Sequence, residues 1–117
     1  MKLNILMPFL AEELSQALTD IGLTKLARSV NSLEIIERCD CDNTGCAAFY
    51  TAKKHTWSGK KIKQISPRVK GLYSVDVLDD QIVFIEMMGR QDVRDRLLAV
   101  QSRTTTKRVV RQECLSS

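Results

Sequence analysis

The chain has 117 residues, of which 44% are apolar and 27% charged, with a net charge of +4. This balance fits one folded domain with a single core, and it excludes disordered and fibrous classes as well as mini-proteins that need disulfide staples. No stretch approaches the roughly 20 apolar residues of a membrane span. The apolar start is interrupted by Pro8 and closed by Glu12 and Glu13 with no small-residue cleavage site after it, so the expectation is a cytoplasmic protein without a signal peptide.

Pro8 suits the first turn of a helix, where its missing N–H is not needed. Leu10, Leu14, Ala17, Leu18 and Ile21 recur at spacings of three and four, so the pattern predicts a helix over residues 8–21 with one apolar face. Gly22 is placed to close it, and Thr24 to cap a short second helix that carries Leu26, Ala27 and Val30. The pair has the outline of a helix-turn-helix. Arg28, however, stands where an apolar core residue is wanted, and the second helix lacks base-reading side chains, which argues against DNA binding through it.

From Leu33 the period changes, and the β-branched pair Ile35 and Ile36 predicts a strand that runs into a group of cysteines. Asp42-Asn43-Thr44-Gly45 is turn chemistry, and residues 47–51, with Phe49 and Tyr50, read as the returning strand. Residues 53–68 are polar and basic and read as a loop. Residues 71–78 and 81–88 alternate in polarity around Asp79-Asp80, which predicts a β-hairpin. Val93, Leu97, Leu98 and Val100 then give a helical stripe over residues 91–100. The order of elements predicts an α+β domain over residues 1–103: an N-terminal helical pair packed on an antiparallel sheet of four to five strands, with one further helix. Residues 104–117 read as a basic tail that is either disordered or adds a short strand.

Three of the four cysteines, Cys39, Cys41 and Cys46, fall within eight residues, and the only histidine, His55, follows. Zinc takes four tetrahedral ligands from thiolate and imidazole, and a hairpin can bring Cys39 and Cys41 from one strand face towards Cys46 across the turn. The spacing departs from that of common zinc motifs. The residues therefore leave three alternatives open: free thiols that serve as small apolar residues, a metal site with His55 or Cys114 as fourth ligand, and a Cys41–Cys46 disulfide.

Residues 51–70 hold seven Lys/Arg and no Asp/Glu. Lys53, Lys54, Lys60, Lys61 and Lys63 could neutralise phosphates while Trp57 stacks on a base; a solvated basic loop beside acidic neighbours explains the same composition. Asp79, Asp80 and Glu86 are accounted for as turn and outward strand residues, and there is no glycine-rich phosphate loop.

The order of strand, acidic turn, strand and helix from Gly71 to Leu98, together with Arg38-Cys39-Asp40-Cys41, Cys46 and Phe49-Tyr50-Thr51, resembles small bacterial domains of unknown function. In those domains an Asp/Gly-rich hairpin is followed by a helix and preceded by a cysteine-bearing hairpin. The resemblance implies a compact antiparallel sheet with a flanking helix and brings no activity or ligand with it. This sequence departs from the pattern in having Asp80-Gln81 where a glycine is expected. The functional expectation is a non-enzymatic binding or interaction module, with a protein as the favoured partner. The alternatives are a nucleic-acid-binding protein using residues 53–70 and a metal- or redox-responsive protein using Cys39, Cys41 and Cys46, with zinc as its cofactor.

Overall fold

The computed structural model describes residues 1–41, 43–53 and 59–104. Four α-helices, α1 (Leu3–Leu6), α2 (Pro8–Asp20), α3 (Thr24–Ser29) and α4 (Gln91–Thr104), accompany five strands, β1 (Glu37–Arg38), β2 (Phe49–Tyr50), β3 (Lys63–Ile65), β4 (Leu72–Leu78) and β5 (Gln81–Met87). The strands form one antiparallel sheet in the order β1-β2-β5-β4-β3. The α+β class, the N-terminal helices and the helix after the strands are as the sequence predicts. No described helix is long and apolar enough to cross a membrane.

Pro8 occupies the start of α2, and Gly22, at φ +83°, ends it. The Gly22 N–H donates to the Thr19 carbonyl and the Leu23 N–H to the Leu18 carbonyl, both at 2.9 Å. This pair of bonds satisfies two of the carbonyls that a helix end leaves open. Thr24 does not cap α3; Leu23 holds that position, and no side chain caps the helix. The helices bury Leu3, Leu10, Leu14, Leu18, Leu26, Ala27, Val93 and Leu97 against one sheet face made by Phe49, Val75, Val77, Ile82, Ile85 and Met87.

The central hairpin turns at Asp79 and Asp80, both in the left-handed region (φ 52° and 65°). Aspartate tolerates that region better than most residues, and two successive positive φ values match the strand twist at a two-residue turn. The hairpin therefore forms without the expected glycine. Its alternation is broken twice, where Tyr73 and Val83 are left without a partner in the register. The second break puts Ile82 opposite Val77 on the helix-covered face, whereas Phe84 faces the other way.

Two expectations need correction. The strand predicted from Leu33 is confined to Glu37–Arg38; ahead of it Leu33 and Ile35 bond to the N-terminal segment, where the Leu33 carbonyl accepts from Leu3 N–H and the Ile35 N–H donates to Met1. Residues 53–68, predicted as loop, contribute the edge strand β3, paired to β4 at Lys63↔Val77, Gln64↔Asp76 and Ile65↔Val75. Backbone pairing to a well-specified neighbour outweighs poor local patterning here. The tail beyond residue 104 lies outside the described residues.

Arg90, in the link from β5 to α4, is 8% exposed and uses all five guanidinium donors. Nε and Nη2 donate to the two Asp92 carboxylate oxygens, Nη1 and Nη2 to the two Glu13 oxygens, and Nη1 also to the Lys70 carbonyl, all within 2.8–3.0 Å. The hydrogen bond from Arg90 holds the Asp92 carboxyl below its ordinary range. Gly71 (φ +81°) lies directly against this arginine: a Cβ there would fall 2.5 Å from Arg90 Cγ and 2.9 Å from the Met88 carbonyl oxygen. Gly22 has open space around it. Gly22→Ala should therefore cost about 1 kcal/mol, the price of the left-handed backbone alone, and Gly71→Ala about 3 kcal/mol or more in urea unfolding. Equal losses at the two sites would contradict the packing of Gly71 on Arg90.

Candidate metal centre

The face of the sheet away from the helices carries a second buried cluster: Cys39, Cys41, Cys46, Ala48 and Phe84, with Tyr50 and Met88 against it. Strand register builds it. Arg38 lies opposite Phe49, and the Cys39 N–H donates to the Ala48 carbonyl at 2.9 Å, so Cys39 sits across from Ala48. On the other side of β2 the pairing Phe49↔Ile85 continues to a bridge between Cys46 and Met88. Side chains alternate along these strands, so Cys46, Ala48 and Tyr50 share the thiol face with Phe84, whose ring lies 4.4 Å from that of Tyr50. Cys39 and Cys41 lie just past the end of β1 rather than within a strand, and the bond from Cys39 N–H to the Ala48 carbonyl carries the pairing one residue beyond it.

The connection before Cys46 is fastened by Asn43, whose side chain accepts from the Gly45 N–H at 2.8 Å and whose carbonyl accepts from the Cys46 N–H at 3.1 Å. Gly89 N–H donates to the Gly45 carbonyl at 2.7 Å. From α4, Arg94 Nη1 donates to the carbonyls of Asn43 (3.1 Å) and Cys46 (2.7 Å). Two separate elements thus grip the turn through its backbone.

The sulfurs of Cys39, Cys41 and Cys46 all lie within 4.8 Å of one another, and all three residues are buried. Cys39 and Cys41 are disulfide-bonded and Cys46 is a free thiol. The Cys41–Cys46 bridge considered from the sequence is therefore not the one formed. Burial pushes the Cys46 thiol above its ordinary range; the backbone at Ala48 and the charges of Arg38 and Arg94 oppose that shift, and Glu86 reinforces it. Among the described residues no carboxylate or imidazole joins the three sulfurs. His55 lies outside the described residues, as does Cys114.

Further along the same face, Ser74 Oγ lies 3.3 Å from Asp76 Oδ1 and 3.4 Å from Glu86 Oε1, so one hydroxyl stands between two carboxylates. Burial raises Asp76, against hydrogen bonds from Gln64 and Ser74; burial and then the charge of Asp76 raise Glu86. Glu86 is thus partly buried on the thiol face, not the freely solvated strand residue that alternation suggests.

The basic residues do not gather with the thiols. Lys54 and Trp57 lie outside the described residues, and Lys53, Lys60, Lys61 and Lys63 are exposed. Lys60 pairs with Asp79 at 3.2 Å, both groups being well exposed. Lys63 stands on the edge strand β3, where lysine discourages pairing with another chain. The residues that sequence reasoning missed are Asn43 and Arg94. Asn43 carried a turn signal; Arg94 bonds to a carbonyl 48 positions away, for which no local signal exists. No family model, curated protein or solved structure matches this chain, so its function has to be argued from this geometry.

Two consequences can be measured. Arg94→Ala removes both bonds to the turn, so alkylation of Cys46 in the native protein should speed up at least fivefold; an unchanged rate would show that the arginine does not hold the turn closed. For Asp76, the folded state raises the carboxyl above its unfolded value, so it binds the proton more tightly than the unfolded chain does, and stability falls as pH rises through that interval. Asp76→Asn should therefore stabilise the protein at pH 7, with the gain disappearing near pH ~3, where both states are protonated. A gain of the same size at both pH values would contradict the assignment.

Proposed function

We propose that this protein is a non-enzymatic binding module whose ligand is a thiophilic divalent metal, zinc first, held by Cys39, Cys41 and Cys46 once the first two are reduced. The observation that supports this reading is the convergence of three buried sulfurs within 4.8 Å. Zinc binds thiolate sulfur at about 2.3 Å, which places tetrahedral sulfurs about 3.8 Å apart, within that spacing. Only small side-chain movements are then needed to receive the ion.

Charge and burial favour the same reading. Buried thiols with no metal resist ionisation, as the raised Cys46 shows, and a bound cation reverses that preference by deprotonating its ligands outright. Three thiolates on one divalent ion leave a net charge of −1, which Arg38 and Arg94 can offset because both act on Cys46. The metal would supply a cross-link between the end of β1 and the start of β2, two short strands with little pairing of their own. Soft sulfur donors select zinc or copper(I) over magnesium and calcium.

Titration of the anaerobically reduced 117-residue chain with cobalt(II), followed by displacement with zinc, tests the proposal. One metal per chain with thiolate charge-transfer absorption is expected. Cys39→Ala, Cys41→Ala and Cys46→Ala should each weaken binding at least tenfold. No binding, or binding indifferent to all three substitutions, would refute it.

A further inference from the structure

The disulfide and the proposed metal require the same two sulfurs. We infer that Cys39 and Cys41 form a two-electron redox couple that competes with the metal, so that a small-molecule disulfide expels the ion and reduction readmits it. This rests on the metal-site reading above, and it adds which sulfurs are oxidised, by what class of reagent, and what happens to the third.

The roles follow from how each cysteine is held. Cys46 is fully buried; its N–H donates to the Asn43 carbonyl, its own carbonyl accepts from Arg94, and its strand is bridged to Met88. It is the fixed member. Cys41 is the most exposed of the three at 9%, against 3% for Cys39, and it immediately precedes the turn. Exchange depends on access to the attacking thiolate, so an incoming disulfide meets Cys41 first.

The exchange balances in two steps. Cys41 thiolate attacks one sulfur of the small disulfide, forming a mixed disulfide and releasing one small thiolate. Cys39 thiolate then attacks Cys41 Sγ, forming the Cys39–Cys41 bond and releasing the second small thiolate. One sulfur–sulfur bond is broken outside the protein and one is made within it. The two cysteines lose one electron each, the small disulfide gains both, and no proton moves. A site that had three thiolates is left with Cys46 alone, which is too few ligands to retain the ion.

The pairing seen in the structure matches the end point of this exchange: Cys39 and Cys41 bonded, Cys46 free. Cys46, whose backbone is gripped on both sides, is left out of that bridge. Cys46 therefore serves the metal but not the disulfide, and this difference separates the proposal from general thiol oxidation.

The test uses the reduced, zinc-loaded 117-residue chain mixed with oxidised glutathione. Zinc release is followed with a chromophoric chelator, and the product is mapped by mass spectrometry of its peptides, including the one carrying Cys114. The expected result is release of one zinc per chain in step with formation of a Cys39–Cys41 bridge, with both reversed by a dithiol reductant. Cys46→Ala should bind zinc at least tenfold more weakly and, with zinc present, form the same Cys39–Cys41 bridge faster than the unaltered chain. Zinc retained after the bridge has formed, or a product in which Cys46 or Cys114 is bridged, would overturn the competition while leaving the metal site standing. Failure of the reduced chain to take up zinc at all would instead remove the metal site and the competition with it.

Discussion

The guanidinium of Arg90 is the interaction on which the rest of the structure depends. Its five donors join Glu13 of α2, the Lys70 carbonyl ahead of β4 and Asp92 at the start of α4, three parts of the chain that share no continuous secondary structure. A buried charge is tolerable only when it is paired and hydrogen-bonded, and here every donor has an acceptor. The acids are only partly buried, so their attraction is screened by water, and the larger effect is geometric: the arginine fixes where α4 begins and in which direction it leaves the sheet. Gly71 permits this because any side chain there would occupy the space of the arginine.

α4 connects the core to the turn that carries Cys46. Val93 and Leu97 seat the helix on the core; Arg96 donates to the Leu6 carbonyl and lies over the Phe9 ring on one side, and Arg94 reaches the cysteine turn on the other. The sheet thus has two unlike faces. One is an ordinary apolar face covered by helices, which gives the domain its stability. The other combines small and aromatic residues with three sulfurs, a serine and two desolvated carboxylates. Buried polar and reactive groups weaken a fold when they serve only packing, so their concentration on one face is where function is to be sought.

Much of the fold was legible in the sequence because local signals agreed with one another. Pro8 and Gly22 bracket a helix with an apolar face, and residues 71–88 alternate around a two-residue turn. The failures have physical causes. β3 carries little apolar patterning and owes its existence to β4. The bulge at Val83 reverses which side Ile82 faces, and no alternation rule sees it. At the site, the clustering of Cys39, Cys41 and Cys46 could be read directly. Which two pair could not, because it depends on how the chain past Arg38 is set against the Cys46 turn, which Asn43 and Arg94 hold through its backbone. Contacts across nearly fifty residues leave no trace in local sequence.

Sulfur ligation of a bound metal is the central claim, and X-ray absorption at the zinc edge of the reduced, loaded protein tests it most directly. Three sulfur scatterers at about 2.3 Å are expected. A shell made only of nitrogen and oxygen would contradict that claim.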